Sequence, residues 1–254
     1  YEMHGQKGPA LVFVHGWSCD SRYWRCQVQP FSEKYRIVLI DLAGHGHSGS
    51  GRTVYSMKAF GQDVKAVVEE ARLNDVVLIG HSMGGAVIAQ AAALMPGRVK
   101  GLIGVDTLQN VEYPMTRQAL DQMTAPLKKE FKTAARHFVQ QMILPGADEK
   151  MIEWILSDMA AATPGIALSA MEEMMTLYIT GGAAGIFDQV RVPVIGVNAD
   201  LWPVNYEANR RHMLYFDTIM LKGTDHFLMM TAPKAFNNAL EKAVKRILAY
   251  TETE

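Results

Sequence analysis

Cysteine is scarce in this chain: only two thiols, Cys19 and Cys26, occur among 254 residues. Two cysteines so close in sequence make neither a disulfide framework nor a metal-ligand set. They read as small, buried or half-buried thiols near a helix start, in a reducing setting, with a local disulfide as the alternative. Charge of one sign is lacking too, since 25 Lys and Arg against 26 Asp and Glu leave a formal net charge of -1. That balance removes the electrostatic case for a nucleic acid or an anionic membrane as partner. No apolar run approaches the roughly 20 residues that a membrane-spanning helix requires. Internal repeats and low-complexity tracts are absent as well. The chain opens on Tyr1 rather than methionine. The cytoplasm is the expected compartment, and a processed secreted or periplasmic form is the alternative.

What remains is ordinary globular material, with 49% hydrophobic and 20% charged residues. It suits one α/β domain carrying an insertion. Continuous apolar runs of strand length occur at Ala10–Val14, Arg36–Ile40, Val76–Ile79, Val99–Val105, Val192–Val197 and Thr218–Leu221. A short piece of strand is expected at Tyr1–His4. Helical patterns separate these runs: Tyr23–Phe31, Thr53–Arg72, Ala86–Met95, Val204–Met213 and Pro233–Tyr250. Strands that are apolar on both faces and alternate with helices predict a mostly parallel, doubly wound sheet. Residues 251–254 are expected to fray.

Between Val111 and Asp188 the alternation stops. Four helical stretches follow one another, Met115–Phe131, Thr133–Ile143, Asp148–Ala161 and Pro164–Tyr178, with Thr163 read as a helix N-cap ahead of Pro164. One helix would suffice for a parallel crossover. The division expected is therefore a core of 1–110 and 189–254 carrying an all-helical cap at 111–188. Many of the chain's 16 methionines fall in that segment, among them Met171, Met174 and Met175. At helical spacing they read first as core; facing a site, flexible thioethers would suit an adaptable apolar pocket.

The chemistry centres on Val76–Gly85, a buried strand running into Gly80-His81-Ser82-Met83-Gly84 and then a helix. A serine on a sharp strand-to-helix turn, flanked by glycines that let the two elements approach, is a nucleophile elbow. A serine hydroxyl needs a base, and a histidine base needs a carboxylate to fix its tautomer. His15, Asp41, Ser82, Asp106, Asp200 and His226 each follow a predicted strand, where open parallel sheets bind their ligands.

His15-Gly16-Trp17, Asp41 with Gly44-His45-Gly46-x-Ser48, Gly80–Gly85, Asp200 with Pro203, and Gly223–His226 together resemble the α/β-hydrolase family. The resemblance covers essentially the whole chain and implies a serine esterase-like member with a helical cap. At the amino end the family has two further strands where this chain offers at most one. By position it implies Ser82 as nucleophile, His226 as base and Asp200 as acid, with Asp106 the alternative that some members use. Backbone N–H groups of Met83 and Trp17 are the expected oxyanion donors. Side chains of Trp17, His81, Met83, Trp202 and Phe227 are expected to wall the substrate pocket.

The other candidates read as structural. Asp41 is expected to organise its loop, and Asp225, adjacent to His226, to point away from it. His15 would hold the His-Gly turn. His45 and His47 have His-x-His spacing but no supporting carboxylate or cysteine cluster, so a glycine-loop role is favoured over a metal site. His4, His137 and His212 are assigned to surface or packing. Neither a metal nor a cofactor is expected. The function expected is hydrolysis of small to medium apolar carboxylic esters through an acyl-enzyme. Lactone, thioester, amide or C–C hydrolysis and cofactor-free perhydrolysis remain open with the same residues. A small-molecule receptor without turnover is the reading of another class, and oligomeric state is left open.

Overall fold

The computed structural model describes residues 1–251; of the expected frayed end, 252–254 lie outside the described residues. Seven strands form one sheet: β1 (Glu2–His4), β2 (Ala10–Val14), β3 (Arg36–Ile40), β4 (Val76–His81), β5 (Val99–Val105), β6 (Val194–Ala199) and β7 (Phe216–Leu221). Their spatial order is β1-β3-β2-β4-β5-β6-β7. Among the described residues only β1, paired with β3, is antiparallel. This is the mostly parallel, doubly wound arrangement that the alternating pattern predicts. The central strands are buried on both faces because they are runs of apolar residues, Ala10–Val14 in β2 and Val76–Ile79 in β4, with no polar alternation.

Helices α1 (Arg25–Ser32) and α11 (Pro233–Thr251) pack together on one face of the sheet. On the other lie α2 (Met57–Glu70) and α3 (Gly84–Leu94). Ser56 starts α2 by accepting a hydrogen bond from Ala59 N–H, which places the helix start later than Thr53. Tyr23 and Trp24 belong to a 3-10 turn at Ser21–Trp24, opened by Asp20, that leads into α1. At Gly61, α2 meets α3 so closely that a Cβ there would lie 2.7 Å from Gln90 Cβ and 3.0 Å from Ala91 N.

Five helices occupy the β5–β6 connection: α4 (Arg117–Lys129), α5 (Phe131–Gln140), α6 (Glu149–Ala160), α7 (Pro164–Ile179) and α8 (Gly182–Phe187). The fifth, α8, has no counterpart in the sequence pattern, because Gly182 and Gly185 dilute its helical signal. It packs on α3 and on α9 (Tyr206–His212), and so sits against the sheet domain. Pro164 does open α7, although the Thr163 side chain makes no capping bond. The short helix α10 (Leu228–Thr231) precedes α11, and at four residues it leaves no periodicity in the sequence.

The insertion is fastened to the sheet domain by directed contacts. Trp17 Nε1–H donates to Ala167 O at 2.7 Å, and Tyr55 N–H donates to Ser169 Oγ at 3.0 Å. Arg22 pairs with both Asp20 and Asp158, and Arg25 lies over the Trp154 ring. Among the described residues no helix is long and apolar enough to cross a membrane.

The sheet reverses its winding between β2 and β4. Val14 lies beside both Ile40 and Gly80, and Gly80 beside Gly104, so the residues that follow these strands collect on one edge. His15–Trp17 and Ser82 emerge on either side of that switch point, where ligands bind in open sheets. Gly61→Ala is expected to destabilise the chain by about 1–3 kcal/mol, the usual cost of forcing a methyl into a filled interface. A lower urea unfolding midpoint with an unchanged m-value would register it.

Candidate active site

At the end of β4 the chain turns so sharply that Ser82 takes φ +52, a left-handed conformation rarely tolerated by a non-glycine residue. The turn is held by Ser82 N–H to Val105 O at 3.0 Å and Gly85 N–H to Ser82 O at 2.9 Å. Strand and helix then approach closely. A Cβ on Gly80 would lie 2.3 Å from Gly84 O, and one on Gly84 would lie 2.7 Å from Val14 O. On the neighbouring loop, a Cβ on Gly16 would fall 2.8 Å from His81 Nδ1 and 3.2 Å from Ser82 Cβ. The glycine positions are therefore set by backbone proximity, which is why a G-x-S-x-G spacing is needed here. Neither Met83 N–H nor Trp17 N–H finds an acceptor among the described residues.

His226 lies in the loop after β7 and is nearly buried. Its backbone is held at both ends: N–H donates to Met142 O at 3.1 Å, and O pairs with His81 Nε2 at 2.9 Å. Its side chain is held by Asp106, whose Oδ2 lies 2.5 Å from His226 Nδ1. Asp106 follows β5 at φ +43, and its other oxygen accepts from Ala199 N–H at 3.0 Å. With Nδ1 occupied, His226 Nε2 is the ring nitrogen left for another partner. Ser82 and His226 line one cavity.

The carboxylate beside the His226 ring is that of Asp106, the alternative, rather than that of the first-expected Asp200. Asp200 stands one residue beyond β6, exposed, and its Oδ1 accepts from Gly223 N–H at 2.9 Å. It braces the loop that carries the histidine without touching the imidazole. Asp106 is buried, and its left-handed backbone turns the carboxylate across the end of β6 to the ring. Both aspartates end strands beside the insertion, so spacing alone did not separate them.

The remaining histidines divide by environment. His15 Nε2 accepts from Leu42 N–H at 3.0 Å, which places the proton on Nδ1 and donates it to Gly16 O at 2.8 Å. Burial, reinforced by nearby His45, lowers its pKa from 6.5 to about 3, so it stays neutral. His81 is likewise held well below its usual pKa by burial and by His226 beside it, ring centroids 4.7 Å apart. His81 Nδ1 is buried without a partner, so the neutral ring carries its proton on Nε2 toward His226 O. His45 turns inward to Ala43 O while His47 is exposed, so the His-x-His pair does not converge. Asp41 accepts from Ser21 N–H and His47 N–H, and these bonds outweigh burial and lower its pKa. Asp225 turns away from His226 to Phe227 N–H and the Thr231 hydroxyl, and burial raises its pKa.

The cavity above Ser82 has a volume of about 160 Å³. Five methionines line it, Met142, Met159, Met171, Met174 and Met175, all from the insertion. Trp17, His81 and Phe227 line it as expected, and Cys19 and Phe138 join them. Two expected wall residues stand elsewhere. The Met83 side chain is fully buried in the hydrophobic core, because the turn puts it at the start of α3 facing inward. Trp202 lines an adjacent groove of about 920 Å³ and meets His226 edge-on, ring centroids 5.6 Å apart. Cys19 and Cys26 are unpaired.

His15 and His81 stay neutral in the fold but take up protons near pH 6.5 when unfolded. The unfolded chain then binds more protons, so stability falls as pH drops below 6.5 toward about 3, the folded value for His15. Each contributes about 1.4 kcal/mol per pH unit within its window. Urea unfolding at pH 7 and pH 5 is expected to show this loss, with a smaller slope in His15→Gln.

Comparison with known proteins places this arrangement. The model of the alpha/beta hydrolase fold matches residues 9–154. The pimeloyl-[acyl-carrier protein] methyl ester esterase of Edwardsiella ictaluri is 36% identical over 143 residues, 54% of this chain and 53% of that protein. The chain thus spans about half the length of that relative. The 3-oxoadipate enol-lactonase 2 of Acinetobacter baylyi is 24% identical over 252 residues, 97% of this chain and 92% of that protein. Among solved structures, bromoperoxidase from Bacillus anthracis superposes with a TM-score of 0.85 over 96% of this chain and 94% of that one, at 21% identity, a likeness of fold. The chain belongs to the α/β-hydrolase fold family.

Proposed function

We propose that the chain is a serine hydrolase that cleaves carboxylic esters of apolar, uncharged substrates through an acyl-enzyme. Ser82 is the nucleophile, His226 the base and Asp106 the acid. The observation that carries this reading is the 2.5 Å contact between His226 Nδ1 and Asp106 Oδ2, in a cavity shared with a serine at φ +52. His226 Nε2 takes the Ser82 proton as Oγ attacks the ester carbonyl, and Asp106 stabilises the imidazolium formed. Met83 and Trp17 N–H groups, both without an acceptor among the described residues, hold the oxyanion. His226 then protonates the departing alcohol, and water releases the acyl group by the same route reversed.

The insertion at 111–188 acts as a cap over a core of 1–110 and 189–254. Its methionines make the chamber apolar and deformable, which suits an uncharged acyl group. The names of the two relatives, an esterase and a lactonase, support cleavage of a carbonyl–oxygen single bond. Lactone opening is the second reading, favoured by the alignment with the enol-lactonase over 97% of this chain.

A fluorophosphonate probe is expected to label Ser82, and Ser82→Ala to lower turnover of p-nitrophenyl acetate by roughly 10⁴-fold or more. A chain inert to the probe that still binds an apolar ligand would be a receptor instead. Asp106→Asn is expected to reduce kcat by roughly 10³–10⁴-fold through loss of the correct histidine tautomer. Asp200→Asn, which keeps an oxygen for Gly223 N–H, is expected to stay within about three-fold of wild type in the same assay. Near-normal kcat in Asp106→Asn would remove that carboxylate from the mechanism.

A further inference from the structure

Two unequal apolar spaces share Met175 as a wall, and the chemistry decides which part of an ester each receives. The inner chamber, about 160 Å³, holds Ser82 and His226. A cavity of roughly 150 Å³ accommodates a single benzene ring. The outer groove, about 920 Å³, shares Met175 with the chamber as a common wall. Its other contact with the site is Trp202, edge-on to the His226 ring. Trp202, Tyr113, Tyr178 and Tyr206 give it aromatic walls, and Tyr113 meets Tyr178 edge-on. Gln109, Asn110 and Asn205 are its polar members, and no Asp, Glu, Lys or Arg lines it among the described residues. Tyr113 and Trp202 are exposed at its lip, 57% and 39% respectively, a large apolar outlay for a surface without a ligand.

From this we infer that the outer groove is the alcohol site, taking a bulky, uncharged, ring-bearing alcohol, and that the inner chamber takes only a small acyl group. The inference rests on the serine-hydrolase reading of Ser82 and His226. During acylation the Ser82 proton passes to His226 Nε2 and from there to the alkoxide oxygen as the carbonyl–oxygen bond breaks. The departing oxygen therefore lies against His226, and the group it carries extends on the His226 side, where Trp202 of the groove packs edge-on against the ring. The acyl group stays bonded to Ser82 Oγ and remains in the chamber among the methionines. A two-ring substituent exceeds the chamber and fits the groove, whose aromatic walls stack on it at low entropic cost.

Two isomeric esters separate the sides without a change of mass: 2-(2-naphthyl)ethyl acetate, with the rings on the alcohol, and methyl 3-(2-naphthyl)propanoate, with the rings on the acyl group. The acetate is expected to have at least about ten-fold the kcat/KM of the methyl ester. Ala119 lines the groove on α4, and Ala119→Trp is expected to reduce that preference at least about ten-fold by filling the space. Tyr113→Ala, at the exposed lip, should lower the same ratio and guards against misfolding of the larger substitution. Preference for the methyl ester, equal rates, or a ratio unmoved in both variants would overturn the assignment. If neither isomer is cleaved while a fluorophosphonate still labels Ser82, the alcohol-site assignment fails and the hydrolase reading stands. Absence of labelling as well would remove both.

Discussion

Everything at this site depends on how closely β4 and α3 can approach around one residue. The left-handed backbone at Ser82 exists only because Gly80 presents no side chain to the Gly84 backbone and Gly84 presents none to Val14 and His15. The same compactness requires Gly16 on the neighbouring loop, which lies against His81 and Ser82. Left-handed conformations at ordinary residues cost roughly 1–3 kcal/mol each and persist where the surroundings over-determine them. Here Asp106 and Leu108 share that conformation just after β5, so two adjacent strand ends carry such strain. The sheet beneath them is buried and continuous, which makes it a rigid footing for both turns.

The histidine is positioned by a different logic, a set of bonds converging from separate parts of the chain. Its carbonyl meets His81 from the serine turn, its N–H meets Met142 from the insertion, and its ring meets Asp106 from β5. His81 can serve this way because burial keeps it neutral, with its proton on Nε2. Asp200 contributes one step removed, by bracing the loop at Gly223. The Met142 bond also ties the insertion to the histidine loop.

How much of this the sequence reveals follows from the range of the interactions involved. The sheet, the turn at Ser82, the inward histidines and the loop role of Asp41 rest on local pattern, and each is legible as apolar runs, glycine spacing or position after a strand. The partner of His226 is not local. Asp106 and Asp200 both follow buried strands beside the insertion, and a left-handed backbone at a non-glycine residue leaves no mark in spacing. The inward side chain of Met83 is illegible for a related reason, since only the geometry of the turn decides whether it faces the cavity or the core. The chamber was legible as methionine-rich but not as small, because its volume is set by how α5, α6 and α7 dock, a long-range packing outcome.

The proposed hydrolase chemistry requires that Ser82 become covalently acylated with the help of His226 and Asp106. Intact-protein mass spectrometry on samples acid-quenched during turnover of p-nitrophenyl acetate tests it most directly. One acetyl group per chain, mapped to Ser82, is expected to appear within the first turnover and to decay as substrate is exhausted. Steady turnover with Ser82 unmodified at every quench time, or an acetyl group mapped to another residue, would contradict it.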